Sequence, residues 1–291
     1  MDLKTGKILW QRWIDSDVMS APVVSGKTVH VASFGGTLYK FDMESGKILS
    51  AESQRATSAP VIVGDQLVYS ARTDKAGEDA SEGIALQKDG TKKIANSKRA
   101  LNLDRRVQQL SKFAQKGQQW DAGNGFGGGA PMAANPMAAL ENVGQANVST
   151  LQAYQGARMV ASSQYAWGCP SGDRVACTDL LTGETKWEIK LEGDLATEGG
   201  SLAAPPAAAG ESLFLCTLQG NVLEVHAKTG KLIKKYATGS VTRFQPVVEN
   251  GRLYVTSEDG KLVVFSTSDP KATGWSQWGG NAARTGVIDL E

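Results

Sequence analysis

Cysteine, histidine and net charge are all scarce in this chain of 291 residues, which holds three cysteines, two histidines and a formal charge of +1. Three cysteines build no disulfide framework. Cys169 and Cys177 flank the turn at Ser171-Gly172, where a two-residue turn sets Arg174, not Cys177, opposite Cys169. A bridge there needs a change of register. Cys216 lies in an apolar run and reads as a small buried residue. His30 and His226 fall in separate alternating runs and read as structural strand residues. No His/Cys cluster has metal-ligand spacing, and no Ser-His-Asp set is suggested. Near-zero charge argues against wholesale binding to nucleic acid. No apolar run is long enough to cross a bilayer, and none has the form of a secretory leader.

What the chain does have is a recurring pattern. It reads Ala-Pro-Val-Val, a turn glycine, a Val/Leu-rich run, a second glycine turn, an alternating apolar run, and then Asp-x-x-x-Gly-Lys. The clearest copy runs from Ala21-Pro22-Val23-Val24 through Gly35-Gly36 and Asp42 to Gly46-Lys47. Further copies start at Ala59-Pro60, Ala204-Pro205 and Gln245-Pro246, and a divergent one runs from near Ala157 to Asp179 and Gly183. Alternation with period two, as in Val29 and Val31 around His30, is what half-buried strands require. The Gly-Gly, Ser-Gly and Asp-Gly steps are hairpin chemistry, because such turns need positive φ. A unit of about 40 residues with four short strands cannot bury its faces alone, so neighbouring sheets must stack around an axis. The fold expected is all-β, a β-propeller of about five four-stranded units.

The rim of the units carries a more specific signal. Asp2-Leu3-Lys4-Thr5-Gly6-Lys7-Ile8-Leu9-Trp10 and Asp179-Leu180-Leu181-Thr182-Gly183-Glu184-Thr185-Lys186-Trp187 resemble the D-x-x-T-G-x-x-x-W ending of PQQ-like propeller repeats. Ala227-Lys228-Thr229-Gly230-Lys231 matches in part, with His226 in the Asp slot and Lys234 in the Trp slot. Trp275 to Gly286 resembles a W-x-x-W-G-x-N-x-x-R-T-G tag of the same family. The resemblance implies the quinoprotein-type propeller superfamily, which includes PQQ-dependent dehydrogenases, outer-membrane assembly propellers and uncharacterised exported propellers. Its structural repeat residues here are Trp10, Asp42, Gly46, Asp179, Gly183, Trp187 and Gly230, with Trp10 and Trp187 expected as wedges between sheets.

A single domain is expected over 1–291, with a tail at 274–291 and an insertion at 92–150. The last copy supplies three strands, so Lys7 to Trp13 is one candidate for its fourth. The other reading is a piece of a larger ring, for which the family implies about eight blades. Within the insertion, Leu103, Val107, Leu110 and Ala114 share a face, so Lys98 to Lys116 reads as an amphipathic helix. From Lys92 to Lys116 eight bases (Lys92, Lys93, Lys98, Arg99, Arg105, Arg106, Lys112 and Lys116) stand against Asp104. Such a helix either docks on an anionic membrane or an acidic partner, or packs with its polar face in water. Gly123 to Gly128 matches GxGxxG but is followed by Gly129-Ala130-Pro131, not by the helix of a dinucleotide site, and reads as linker. Asn135-Pro136 reads as a helix start, and Asn147-Val148-Ser149 fits a glycosylation sequon that chance produces often.

The resemblance also frames the question of catalysis. In the family's enzymes it implies PQQ on the ring axis with Ca²⁺, beside a disulfide between adjacent cysteines. The residues before each innermost strand crowd that mouth: Met19-Ser20-Ala21, Thr57-Ser58-Ala59, Gln155-Gly156-Ala157, Leu202-Ala203-Ala204 and Arg243-Phe244-Gln245. None is a carboxylate, no cysteines are adjacent, and calcium needs several hard oxygen ligands. No catalytic, cofactor or metal residue is therefore expected; PQQ with calcium belongs to the alternative of a quinoprotein dehydrogenase or a fragment of one. The expectation is a non-catalytic scaffold for a protein partner, periplasmic or outer-membrane associated. Its interaction residues would be Lys98, Arg99, Arg105, Arg106, Lys112, Lys116 and Arg243, with no nucleic acid bound.

Overall fold

The computed structural model describes residues 1–16, 18, 21–33, 35–73, 82–95, 159–194 and 201–288. These form nineteen strands in five antiparallel sheets and, among the described residues, no helix. Sheet 1 holds β1 (Val23–Ser25), β2 (Thr28–Ala32), β3 (Thr37–Asp42) and β4 (Ile48–Ser53). Sheet 2 holds β5 (Val61–Val63), β6 (Gln66–Arg72), β7 (Glu82–Lys88) and β8 (Thr91–Ala95). Sheet 3 holds β9 (Val160–Ala161), β10 (Tyr165–Gly168), β11 (Arg174–Asp179) and β12 (Thr185–Lys190). Sheet 4 holds β13 (Ala207–Ala209), β14 (Ser212–Thr217), β15 (Asn221–His226) and β16 (Leu232–Ala237). Sheet 5 holds β17 (Val247–Glu249), β18 (Arg252–Thr256) and β19 (Leu262–Ser266). Each sheet is a meander in chain order, as the recurring turn glycines anticipate.

Alternation buries both faces of the middle strands. On β3 Tyr39 and Phe41 stack on one face, 5.7 Å between centroids, while Leu38 and Lys40 take the other. Ala32, Leu38, Tyr69 and Ala85 join sheets 1 and 2. Val61, Ile84, Leu86 and Met159 join sheets 2 and 3. The largest cluster, with Trp167, Phe214, Leu253 and Trp275, joins sheets 3, 4 and 5.

Backbone stitches link one sheet to the next. The hairpin glycine between second and third strands offers its carbonyl to the segment leading into the following sheet. These bonds are Ala56 N to Gly36 O (3.0 Å), Leu202 N to Gly172 O (2.7 Å) and Thr238 N to Gly220 O (2.9 Å). At Gly36, φ is +85° and a Cβ would approach Arg55 Cα to 2.9 Å, so the stitch needs glycine.

Several expectations change. Lys7 to Trp13 joins no sheet, and β19 has no fourth strand among the described residues. After β19 the chain turns inward instead: Trp275 pairs with Val248 through N–H···O bonds of 2.9 and 3.2 Å. Lys92 and Lys93, counted with the insertion from the sequence, lie in β8, because the Asp89-Gly90 turn pairs Lys88 with Thr91. The β10–β11 hairpin is longer than two residues: Trp167 stands opposite Cys177, and no disulfide joins any of the three cysteines. The basic helix at 98–116, the glycine run at 123–128, the helix start at Asn135 and the sequon at 147 lie outside the described residues.

Candidate functional site

One rung recurs in all five sheets at the same register. It reads Val23–His30–Lys40–Ser50 in sheet 1 and Val61–Val68–Leu86–Lys93 in sheet 2. Sheet 3 has Val160–Trp167–Cys177–Trp187, sheet 4 has Ala207–Phe214–Glu224–Lys234, and sheet 5 has Val247–Tyr254–Val264. The outer residue of the rung is the Trp slot of the repeat.

That slot reaches across to the next sheet. Trp187 Nε1 donates to Ala227 O of sheet 4 at 3.0 Å, and Trp167 Nε1 donates to the same carbonyl at 2.9 Å. Trp10 serves sheet 1 in the same way, donating to Met43 O at 2.9 Å and stacking on Phe41 at 6.0 Å. Met43 and Ala227 hold the same place, one residue past Asp42 and His226. Both indoles lie so close to the following turn glycine, Gly46 or Gly230, that a Cβ there would strike the ring. Lys93 Nζ donates to Thr182 O of sheet 3, and Lys234 Nζ to Ser266 O of sheet 5 at 3.4 Å. Sheets 1, 3, 4 and 5 thus each receive a side-chain N–H from this slot.

The turns they meet are built by the Asp slot. Asp42 Oδ1 accepts from Ser45 Oγ (2.7 Å) and Ser45 N (2.8 Å); Asp179 Oδ1 accepts from Thr182 N (2.9 Å) and Leu181 N (3.0 Å). These bonds hold both carboxyls below the usual range, chiefly through the Ser45 hydroxyl and the Thr182 amide. Gly183 closes the Asp179 turn beside Lys93 and Ala95.

Sheet 1 departs from the pattern. Its rung ends in Ser50, too short to reach sheet 2, and a cleft of about 480 Å³ opens between the two sheets. Leu38, Pro60, Ile62 and Leu67 give the cleft apolar walls. Glu52, an exposed residue of its lining, is held by Gln54 Nε2 (2.7 Å) and Gln87 Nε2 (2.9 Å), while Lys40, Asp65 and Asp89 add further charge. His30, only 7% exposed, also lines it. Thr28 Oγ1 donates to Ser25 O at 2.8 Å, so at 3.0 Å it accepts from His30 Nε2–H. This fixes the tautomer and leaves His30 Nδ1 an acceptor, with no partner among the described residues. Burial, with the Lys40 charge second, pulls the imidazole pKa down to about 4, so the ring is neutral.

The axial mouth is packed by the chain itself. Thr57, Ser58, Ala59, Leu202 and Ala203 are buried. Gln245 donates to Pro206 O at 2.6 Å and accepts from Gly279 N of the tail at 3.1 Å. The tail then crosses the innermost strands: Val24 N to Ala283 O (2.9 Å), Ala161 N to Gly286 O (2.8 Å) and Ile288 N to Ala161 O (2.7 Å). The Nε1 atoms of Trp275 and Trp278 are buried there with no acceptor among the described residues. Met19, Ser20 and Gln155 to Ala157 lie outside the described residues.

Of the expected interaction residues, Arg243 is ion-paired with Glu258. Lys98, Arg99, Arg105, Arg106, Lys112 and Lys116 lie outside the described residues. Lys92 is engaged too, donating to Gln54 O at 2.8 Å over the Tyr69 ring. Sequence reasoning missed the cleft between sheets 1 and 2. Its signal was present: Ser50 stands where Asp-x-x-x-Gly-x-x-x-Trp would place tryptophan.

Five stitched meanders with this rim chemistry define a β-propeller of PQQ-like repeats. A sequence profile of the family described as outer membrane protein assembly factor BamB matches residues 1–115 and 171–287, well over half of the chain, and the chain belongs to that family. Among solved structures it is similar to BamB from Moraxella catarrhalis, at 14% identity and a TM-score of 0.45, covering 92% of this chain and 76% of that one. It is similar also to the Cps50 (Swd1) β-propeller domain of Myceliophteria thermophila, at 9% identity and a TM-score of 0.48, covering 85% and 69%. A third likeness is the computationally designed Ika4 protein, at 12% identity and a TM-score of 0.33, covering 91% and 100%. No curated protein sequence matches the chain.

Proposed function

We propose that this chain is a non-catalytic scaffold that holds a protein partner in the bacterial cell envelope, in the periplasm or at the outer membrane. Membership of an outer-membrane assembly family carries the reading. The packing of the mouth supports the non-catalytic part. The tail occupies the inner-strand region where the family's enzymes are expected to hold PQQ and calcium, and Gln245 is spent on Gly279 and Pro206. The described mouth residues offer buried Thr57 and Ser58 but no carboxylate, and Arg243 adds a positive charge. That donor set does not fit Ca²⁺. What the propeller leaves open are rim clefts and sheet edges, which suit extended partner segments. The basic stretch from Lys98 to Lys116 offers an acidic partner or an anionic membrane a second contact.

Two measurements test this. Calorimetric titration with PQQ and Ca²⁺ should give no saturable heat; micromolar binding, or alcohol-dependent dye reduction, overturns the scaffold reading. Crosslinking in envelope extracts should join the chain to a periplasmic or outer-membrane protein, and exclusive crosslinking to cytosolic proteins overturns the envelope assignment.

A further inference from the structure

The slot at the end of the rung gives an N–H donor to every sheet but sheet 2. Trp10, Lys93, Trp187 and Lys234 make the donation, whereas Ser50, half-buried at the equivalent place, does not. Two steps inward along the rung, the place of the fully buried Trp167 is taken by His30. Two indole positions of sheet 3 are thereby replaced by an imidazole and a hydroxymethyl group. The opening that results, about 480 Å³, falls in the size range of ligand pockets.

We propose that this cleft is a docking pocket for an aromatic side chain of a partner, an indole-type ring carried beside a positive charge, inserted as the missing wedge between sheets 1 and 2. The chemistry of the walls selects that occupant. Leu38, Pro60, Ile62 and Leu67 offer apolar surface to the faces of a ring. His30, more than nine-tenths buried, lines the pocket, and its Nδ1, with no partner among the described residues, is left as an acceptor for a ring N–H. Glu52, Asp65 and Asp89 against Lys40, with His30 neutral, give the lining a net charge of three negatives less one positive, or −2. A cation beside the ring is favoured and an anion is not. The chain shows the mode of binding itself, since Trp10 is carried on a segment outside every sheet and docks on sheet 1 through one hydrogen bond and one stack.

The inference rests on the scaffold reading for the nature of the partner, while the pocket is testable without one. With only two histidines in the chain, ring resonances of His30 and His226 are separable by NMR, and His226 serves as the control. Tryptamine should shift the His30 resonances saturably, with a dissociation constant of about 1 mM, and leave His226 in place. Indole-3-acetate should bind at least about threefold more weakly. Filling the slot with His30→Phe and Ser50→Trp should keep or raise the melting temperature. Methyl resonances of Leu38 and Ile62 in that variant should show at least about tenfold weaker tryptamine binding. If the filled variant fails to fold, Glu52→Gln provides the comparison, and it should narrow the preference for tryptamine over indole-3-acetate. No saturable shift at His30, equal binding of the two probes, or an unchanged preference in Glu52→Gln overturns the pocket. Exclusive crosslinking to cytosolic proteins with intact tryptamine binding would overturn the envelope scaffold alone.

Discussion

The indole of Trp187 rests on Gly230 of the next sheet, so near that a Cβ on that glycine would lie 2.6 Å from the ring. Its Nε1 is meanwhile 3.0 Å from Ala227 O. The two residues come from adjacent sheets, and their contact is the repeating joint of the rim. Trp10 and Gly46 reproduce it on sheet 1.

Gly230→Ala should cost about 2–4 kcal/mol, combining a left-handed backbone at φ +69° with a ring that must move. Gly26→Ala is the control: φ is +55° but nothing lies within 4 Å, so backbone strain alone should cost about 1–2 kcal/mol. Denaturant unfolding of both variants checks the difference. Equal losses would mean that Trp187 does not press on the turn.

Glu224 is fully buried between sheets 4 and 5, where Tyr236 Oη donates to it at 2.5 Å, Ser212 Oγ at 3.2 Å and Ser268 N at 3.3 Å. Tyr236→Phe should lose about 1–3 kcal/mol, and Glu224→Ala more, because it leaves several donors without an acceptor. Burial, reinforced by Glu224, raises the Tyr236 pKa well above the usual tyrosine value. In a spectroscopic titration Tyr236→Phe should therefore leave the native alkaline tyrosine transition unchanged and remove one group from the unfolded one.

His30 makes stability depend on pH. Its folded pKa is about 4, below the unfolded value near 6.5, so the unfolded chain takes up the proton first. Its contribution is complete above about pH 6.5 and is lost as pH falls towards 4, with a limiting slope of about 1.4 kcal/mol per pH unit. His30→Gln should flatten the stability–pH curve in this window relative to wild type. Parallel curves would place the imidazole in contact with water.

Removing the tail from Gly274 onward should lower stability by several kcal/mol, because it strips hydrogen bonds from β1, β9 and β17 and deletes the buried ring of Trp275, which is 1% exposed. Hydrogen exchange should show the loss of protection concentrated in those innermost strands and not in the outer strands β12 and β16.

The strands were legible because their signals are local. Alternation around His30 and glycine at the Gly35-Gly36 turn suffice for β2 and β3, and Asp-x-x-Thr-Gly with a spaced tryptophan marks the rim of sheet 3. The cleft was not, since it arises when Ser50 and His30 are compared with Trp187 and Trp167 at the same rung, and pairing register is a property of the folded sheets. Lys92 and Lys93 looked like the start of a basic segment because charge is read along the chain. In the fold they are strand residues whose ammonium groups reach Gln54 O and Thr182 O. The route of the tail depends on contacts with β1, β5, β9 and β17 that no sequence window spans.

The bond from Val24 N to Ala283 O joins positions 259 apart in the chain (283 − 24). Such closure is entropically slow, because the whole intervening chain must be gathered before the contact is rewarded. The sheets can form one by one as local meanders, yet the inner strands stay uncovered until the tail arrives. For as long as that takes, the growing molecule is an open arc with apolar inner strands on display. A folding helper or an early partner has its longest access to the axis in that interval, and a fast refolding phase for the sheets should precede a slower one in which Trp275 and Trp278 leave water.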